Sequence, residues 1–152
     1  MANQVSTLLN FIVDTLDKNP LVNTIIFKDS DVYDVEKENV YPLVSIQLLN
    51  TPAPTENLRE FKLSFEILNQ RDDIKKASTS KLMLDTNYID NIGICDSIAN
   101  DFILEIIKSH NDLNITIVEG GVSEFETIRR DERNCLDGIY FELNLSTYQN
   151  GI

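Results

Sequence analysis

Hydrophobic residues recur at three- and four-residue spacing in two stretches of the chain, which predicts two amphipathic helices. The first stretch ends before Pro20, because the residue that precedes a proline is pushed out of the helical region. The second covers about residues 91–109, and Asp90 is well placed to cap its first turn. The two apolar stripes consist of Val5, Leu8, Leu9, Ile12, Val13 and Leu16, and of Ile92, Cys95, Ile98, Ala99, Phe102, Ile103 and Ile106.

Between and after these helices, apolar and polar residues alternate, which predicts half-buried strands. The clearest alternation covers residues 61–67, and we expect it to form an antiparallel hairpin with residues 43–49. Glu119-Gly120-Gly121 predicts a bulge or bend, and Asp137-Gly138 predicts a turn before the last strand. The expected strands are residues 24–28, 43–49, 61–67, 115–118, 122–129 and 139–148.

This order of elements predicts an α+β fold, a mostly antiparallel β-sheet with two amphipathic helices packed on one face. The order and the presence of only 5 glycines disfavour a doubly wound α/β fold. The chain of 152 residues is expected to be a single domain with a long loop at about residues 70–90. Loops of that length in compact domains are usually functional or flexible.

The charge balance bears on the partners of this protein. Its 25 acidic and 13 basic residues give a net charge of −12, which would repel the phosphates of nucleic acid. The charge therefore disfavours autonomous binding to nucleic acid, but it is compatible with the wall of a channel through which DNA slides. The chain shows neither a signal peptide nor an apolar run of about 18 residues that could span a membrane.

The residues that most often carry chemistry are scarce. Two cysteines and one histidine are too few for a zinc site, and we interpret Cys95 and Cys135 as reduced thiols. His110 with Asp112 could act as a general base, although a solvated helix end explains His110 as well. Hydrolase, Walker, zinc-protease and Cys-x-x-Cys motifs are absent from the sequence.

Two weaker patterns also fail as sites. Asp29, Asp31 and Asp34 lack the glycine and terminal glutamate of a calcium-binding EF-hand loop. Glu119-Gly120-Gly121 precedes a predicted strand rather than a helix, so it lacks the geometry of a phosphate-binding loop. We therefore predict no catalytic residue, no cofactor and no metal, and the protein is not expected to be an enzyme.

Two groups of residues are candidates for contacts between subunits. The long loop contains lysines beside a short apolar run, and a cluster of arginines precedes the last strand. Arginines at a strand end can form salt bridges between subunits, or they can belong to a surface turn of mixed charge. The candidate residues are Lys75, Lys76, Lys81, Leu82, Met83, Leu84, Arg129, Arg130 and Arg133.

The chain resembles the tail terminator, or tail completion, proteins of tailed bacteriophages. The resemblance extends over nearly the whole chain and is one of architecture rather than of a signature motif. It rests on VSTLL at residues 5–9, YPLV at 41–44, the amphipathic strand at 58–68, ICDSIA at 94–99 and LDGIYF at 136–141. The long segment at 71–90 and the strong acidity depart from the family pattern.

This resemblance implies a structural virion protein, without catalytic residues, that forms a ring at the phage neck. The expected partners are further copies in a hexameric or dodecameric ring and other neck or tail proteins, with DNA passing through the lumen. The expected location is the virion, after assembly in the host cytoplasm. The alternative is an acidic cytosolic binding or regulatory module that mimics DNA, and a hydrolase is a third reading without an identifiable catalytic group.

Overall fold

The computed structural model describes residues 4–27, 40–54, 58–72, 87–109, 114–131 and 135–148. Over these ranges the chain forms two helices and one sheet of six strands, which confirms the predicted α+β class. The elements are α1 (Gln4–Asp17), β1 (Thr24–Ile26), β2 (Leu43–Leu48), β3 (Leu58–Gln70), α2 (Tyr88–Lys108), β4 (Thr116–Val122), β5 (Glu126–Arg130) and β6 (Leu136–Tyr148).

Two long antiparallel strands form the middle of the sheet. β3 and β6 have 13 residues each and pair along their whole length, from Leu58 opposite Tyr148 to Gln70 opposite Leu136. β2 pairs with the other side of β3, as the predicted hairpin requires, and β1 lies parallel to β2 at the edge. β4 and β5 share the outer side of β6, one along each half.

Both helices pack on one face of this sheet, as predicted, and the main hydrophobic core lies between the two layers. Phe65 of β3 stacks on Phe141 of β6 with 5.0 Å between ring centroids, and it meets Phe102 of α2 at 5.1 Å. Each of these buried aromatic side chains contributes a few kcal/mol of hydrophobic stabilisation. The core therefore depends on the alternate residues of the two central strands, whose apolar pattern identified them.

The opposite face of the sheet is mainly polar. Arg130 of β5 reaches across β6 to lie 3.1 Å from Glu66 of β3, and the Tyr140 hydroxyl donates at 3.0 Å to Glu142, two residues further along β6. Burial and that bond to Glu142 raise the pKa of Tyr140. One end of this face is nevertheless dry, since Leu43, Leu68 and Leu136 form a second, small apolar cluster there.

The last strand begins earlier than its sequence suggests, so the predicted turn at Asp137-Gly138 is wrong. Both residues lie inside β6 and are buried. A Cβ atom on Gly138 would lie 1.9 Å from the backbone oxygen of Ile67, so glycine allows two strands to approach closely. In this residue pair, which is typical of turns, Gly138 instead allows close packing of two strands and Asp137 supplies a buried carboxylate.

Two other predicted boundaries also move. Helix α2 begins at Tyr88, so Asp90 lies within its first turn and Asn87, rather than Asp90, precedes the helix. The sequence pattern predicts Val122 as the first residue of the next strand, but it is the last residue of β4. The bulge lies between Ile117 and Val122, and pairing of β4 with β6 resumes at Val122. Gly120 has a φ of 68°, which a glycine adopts without strain, so the bulge is where the sequence placed it.

Candidate subunit-contact site

A buried ion pair lies at the end of the interface between α2 and the sheet. Asp137 of β6 is fully buried, and the side chain of Arg71, which directly follows β3, is 8% exposed. The Arg71 Nε donates to the two carboxylate oxygens of Asp137 at 3.1 and 3.0 Å, and a second guanidinium nitrogen donates to the same carboxylate. This bond raises the pKa of Arg71 above its usual range, so the guanidinium stays charged.

Asn91 in the first turns of α2 completes this cluster with its side-chain amide. Its Nδ2 donates to Asp137 at 3.2 Å and to the backbone oxygen of Gln70 at 3.1 Å. Its Oδ1 accepts from Asn69 at 2.9 Å and from Asn87 at 3.3 Å. One buried amide therefore uses all of its hydrogen-bonding capacity to join α2 to both central strands.

The same cluster joins the two ends of the long connection between β3 and α2. The backbone N–H of Asn87 donates to the Asp72 oxygen at 3.1 Å, and the Asp72 N–H donates to the Asn87 side chain at 2.6 Å. The chain therefore leaves the sheet and returns to α2 at one point. We call residues 73–86 the arm, and Arg71, Asp72, Asn87, Asn91 and Asp137 the arm clamp.

The arginine-rich end of β5 lies beside the arm clamp. Asp131 accepts a hydrogen bond from Arg71, which lowers the pKa of the Asp131 carboxyl, and Arg129 lies 3.5 Å from the same carboxylate. The Arg129 guanidinium also lies 5.0 Å from the ring centroid of Tyr88, within cation–π range. The described residues near the two ends of the arm, Arg71 and Tyr88, therefore contact Asp131 and Arg129 at the end of β5.

Most of the candidate residues themselves lie outside the described residues. That holds for Lys75, Lys76, Lys81, Leu82, Met83, Leu84 and Arg133, and also for His110, Asp29, Asp31 and Asp34. Arg129 and Arg130 are described, and both have carboxylate partners within the chain. A role for these two arginines in subunit contacts therefore stays a prediction.

Sequence reasoning did not identify the arm clamp. Asn91 offered one signal, because it continues the apolar stripe of Cys95, Ile98 and Phe102 by one helical turn toward the N-terminus. A polar residue at a core-facing position needs a buried polar partner. The sequence does not show that this partner is Asp137, because the two residues are 46 positions apart and meet only in the folded chain.

The cluster is suited to holding structure together rather than to proton transfer. Both oxygens of Asp137 are occupied by donors from Arg71 and Asn91, and the carboxylate has no contact with solvent. Cys95 lies next to it, with its Sγ 3.9 Å from the Asp137 backbone oxygen. Burial, with the Asp137 charge as a smaller cause, raises the pKa of that thiol to about 12, so it is protonated at neutral pH.

The described parts of the chain contain no group of three or more His, Cys, Asp or Glu residues that could hold a metal ion. Neither described helix combines the length and apolar character that crossing a bilayer requires. No protein-family model matches the sequence, and the comparison with curated proteins finds no significant match.

Proposed function

We propose that this protein is a ring-forming structural subunit of a tailed-bacteriophage neck, acting as a tail terminator, tail completion or head–tail connector protein. Its neighbours in the virion would be further copies of itself and other neck or tail proteins. DNA would pass through the lumen without being specifically bound. The observation that carries the proposal is the arm clamp, which holds the base of the arm beside the arginines of β5.

The clamp supports this role because its buried charges fix the geometry of the chain at the base of the arm. A buried ion pair gains little stability over apolar residues of similar size, since desolvation offsets the attraction between the charges. Its distinctive effect here is geometric, because Asp137 and Asn91 keep Arg71 and Asn87 at fixed positions on either side of the arm. A fixed base is useful when a segment must meet a neighbouring subunit in one orientation.

The distribution of charge supports a lumen that does not retain DNA. The two helices expose six carboxylates, and none of them pairs with another described residue. Lys108 is the exposed cation on these helices, and Lys18, also exposed, directly follows α1. The helical layer is therefore strongly acidic, and DNA phosphates would be repelled from it.

The test is native mass spectrometry of the intact protein across concentration and salt. We expect a closed ring, a hexamer or a dodecamer, held by head-to-tail contacts. Replacing residues 75–84 with a Gly-Ser linker should reduce the ring population and leave the thermal unfolding of the monomer cooperative. The matched control is Ser97→Ala, an exposed position on α2 outside residues 75–84, which should form rings like the parent.

Two results would count against the proposal. A parent protein that stays monomeric up to high micromolar concentration, with or without tail-tube protein as a template, would contradict it. Loss of cooperative unfolding on arm replacement would also contradict it, since the arm would then belong to the folded core.

The six exposed carboxylates also favour a second candidate, an acidic regulatory module that mimics DNA. Such a module would bind a basic, DNA-binding partner with an affinity that falls steeply as salt is raised. The two candidates differ in a pull-down from host extract at low and high salt. Capture of a nucleic-acid enzyme that competing duplex DNA displaces would favour the mimic, and self-association alone would favour the ring subunit.

A further inference from the structure

An open groove of about 410 Å³ separates the C-terminal end of α1 from the second half of α2. Its floor contains the buried side chains of Leu16 and Phe102, and its rim contains Leu21 and Leu104, which are 44% and 40% exposed. Ile107, on the same helix and 63% exposed, extends the apolar surface beside it. An apolar concave surface of this kind indicates a binding site.

The wall formed by α1 is fixed before any partner binds. Asn19 donates its backbone N–H to the Leu16 oxygen at 3.0 Å, and its side-chain oxygen accepts from the Leu21 N–H at 3.0 Å. These local bonds hold Leu21 in place at the rim. Preformed sites bind more tightly because less conformational entropy is lost on binding.

The groove carries charges of both signs around its apolar floor. Asp101 and Glu105 line it from α2, and Lys18 and Lys108 line it near the two helix ends. None of these four side chains forms an ion pair with another described residue. A complementary partner would therefore present a short apolar run with a cation on one side and an anion on the other.

The arm contains a segment with that pattern. Residues 81–85 read Lys-Leu-Met-Leu-Asp, with a lysine, three large apolar side chains and an aspartate. We propose that residues 81–85 of one subunit bind in the α1–α2 groove of the next subunit, a contact that rests on the proposed ring function. Lys81 would meet the α2 carboxylates, and the apolar residues would cover Leu21 and Leu104.

The apolar run of the arm is too close to Asn87 along the chain to cover Leu104 of its own subunit. Leu82, its farthest member, is five residues from Asn87, so the run lies within about 18 Å of Asn87 even if that part of the chain is fully extended. Leu104 is 17 residues beyond Asn87, about 26 Å along the helix at 1.5 Å per residue. The occupant must therefore come from another copy.

This geometry also agrees with a closed ring. The arm starts at the N-terminal end of α2, and the groove lies toward its C-terminal end. The two contact surfaces are thus different surfaces of one subunit, which is the arrangement that generates head-to-tail rings. Each subunit would donate one arm and accept one.

The test is cysteine cross-linking between two differently tagged chains, both carrying Cys135→Ser to remove the half-buried native thiol. One chain carries Met83→Cys and the other carries Leu104→Cys. We expect a disulfide-linked heterodimer at a yield at least tenfold above that from Met83→Cys mixed with Ser97→Cys. Ser97 is the matched control because it is exposed on α2 outside the groove.

The outcomes separate this contact from the ring itself. Rings in native mass spectra with cross-linking no higher than in the Ser97→Cys control would overturn the groove contact and leave the ring function standing. If the chain stays monomeric, a labelled peptide of residues 79–86 is titrated into it. Binding that Leu104→Glu weakens at least tenfold would retain the docking contact without the ring, and no binding at millimolar peptide would overturn it.

Discussion

The interface between α2 and the sheet has two unlike halves. In the second half of the helix, Phe102 meets Phe65, which stacks on Phe141, in a buried apolar core. At the beginning of the helix, Asn91 instead hydrogen-bonds to Asp137, which pairs with Arg71, in a polar cluster whose side chains are also largely buried. The apolar half stabilises the fold, whereas the polar half specifies where the arm begins and ends.

This difference follows from what each kind of contact requires. Hydrophobic burial is non-directional, so many arrangements of similar volume would satisfy the apolar half. Buried hydrogen bonds and ion pairs are directional, and a partner that is displaced leaves an uncompensated group. The polar half therefore allows one position for each of its members, which is what the base of a contact segment needs.

The largest effect is expected in the apolar half. Phe65→Ala should lower the free energy of unfolding by about 3–5 kcal/mol, because it removes a ring that contacts two others and leaves a cavity. Urea denaturation followed by circular dichroism measures this loss. Ile107→Ala, at an exposed position on α2, is the control and should stay within about 0.5 kcal/mol. A loss below about 1 kcal/mol for Phe65→Ala would show that the core does not depend on this ring stack.

Breaking the polar half should cost about 3 kcal/mol in Asp137→Ala, because the buried Arg71 cation then loses its main partner. The paired variant Arg71→Met with Asp137→Leu sharpens the comparison, since it removes both charges. We expect the free energy of unfolding of this paired variant to lie within about 2 kcal/mol of that of the parent. We expect the fraction of rings in its native mass spectra to stay low. Recovery of ring yield together with stability would show that the clamp has no role in positioning the arm.

Alkaline pH should lower the free energy of unfolding through Cys95, which lies between the two halves. Its pKa is raised to about 12 by burial, so the folded protein keeps the proton while the unfolded chain begins to lose it near pH 8.5. The contribution of the protonated Cys95 thiol to the free energy of unfolding is therefore fully present below pH about 8.5, and it declines as the pH rises toward 12. Denaturation of the parent and of Cys95→Ala at pH 7 and pH 10 measures it, and equal pH dependence in the two proteins would contradict this assignment.

The smallest effect is expected at Asp131, which is mostly exposed. Its pKa is lowered by the hydrogen bond from Arg71, so its contribution is present above pH about 4 and is lost as the pH falls through the lowered pKa. Hydrogen exchange at the Asn87 amide, which closes the arm, should be faster in Asp131→Asn than in the parent at neutral pH. The two rates should converge as the pH falls through the lowered pKa of Asp131. Identical exchange in the two proteins at neutral pH would show that Asp131 does not support the clamp.

The sequence by itself determined the fold class and the strands and helices that bury apolar faces. The alternation in β3 and the three- and four-residue spacing in α1 are local patterns. Each pattern places the apolar residues on one face of a strand or a helix, and that face can be buried in few ways. The bulge at Gly120 was also readable, because local glycine chemistry permits it. The same local reading placed the last strand too late, since Asp137-Gly138 has turn chemistry but lies in a strand.

Only the tertiary structure decided where the polar residues meet. Arg71, Asn91 and Asp137 come from three separate elements, and no periodicity relates residues that are 20 to 66 positions apart. Their contact depends on the register of β3 against β6 and on the position of α2 above them. The described residues that flank the arm contact the arginine end of β5 for the same reason, because strand pairing between distant segments determines which parts of the chain become neighbours.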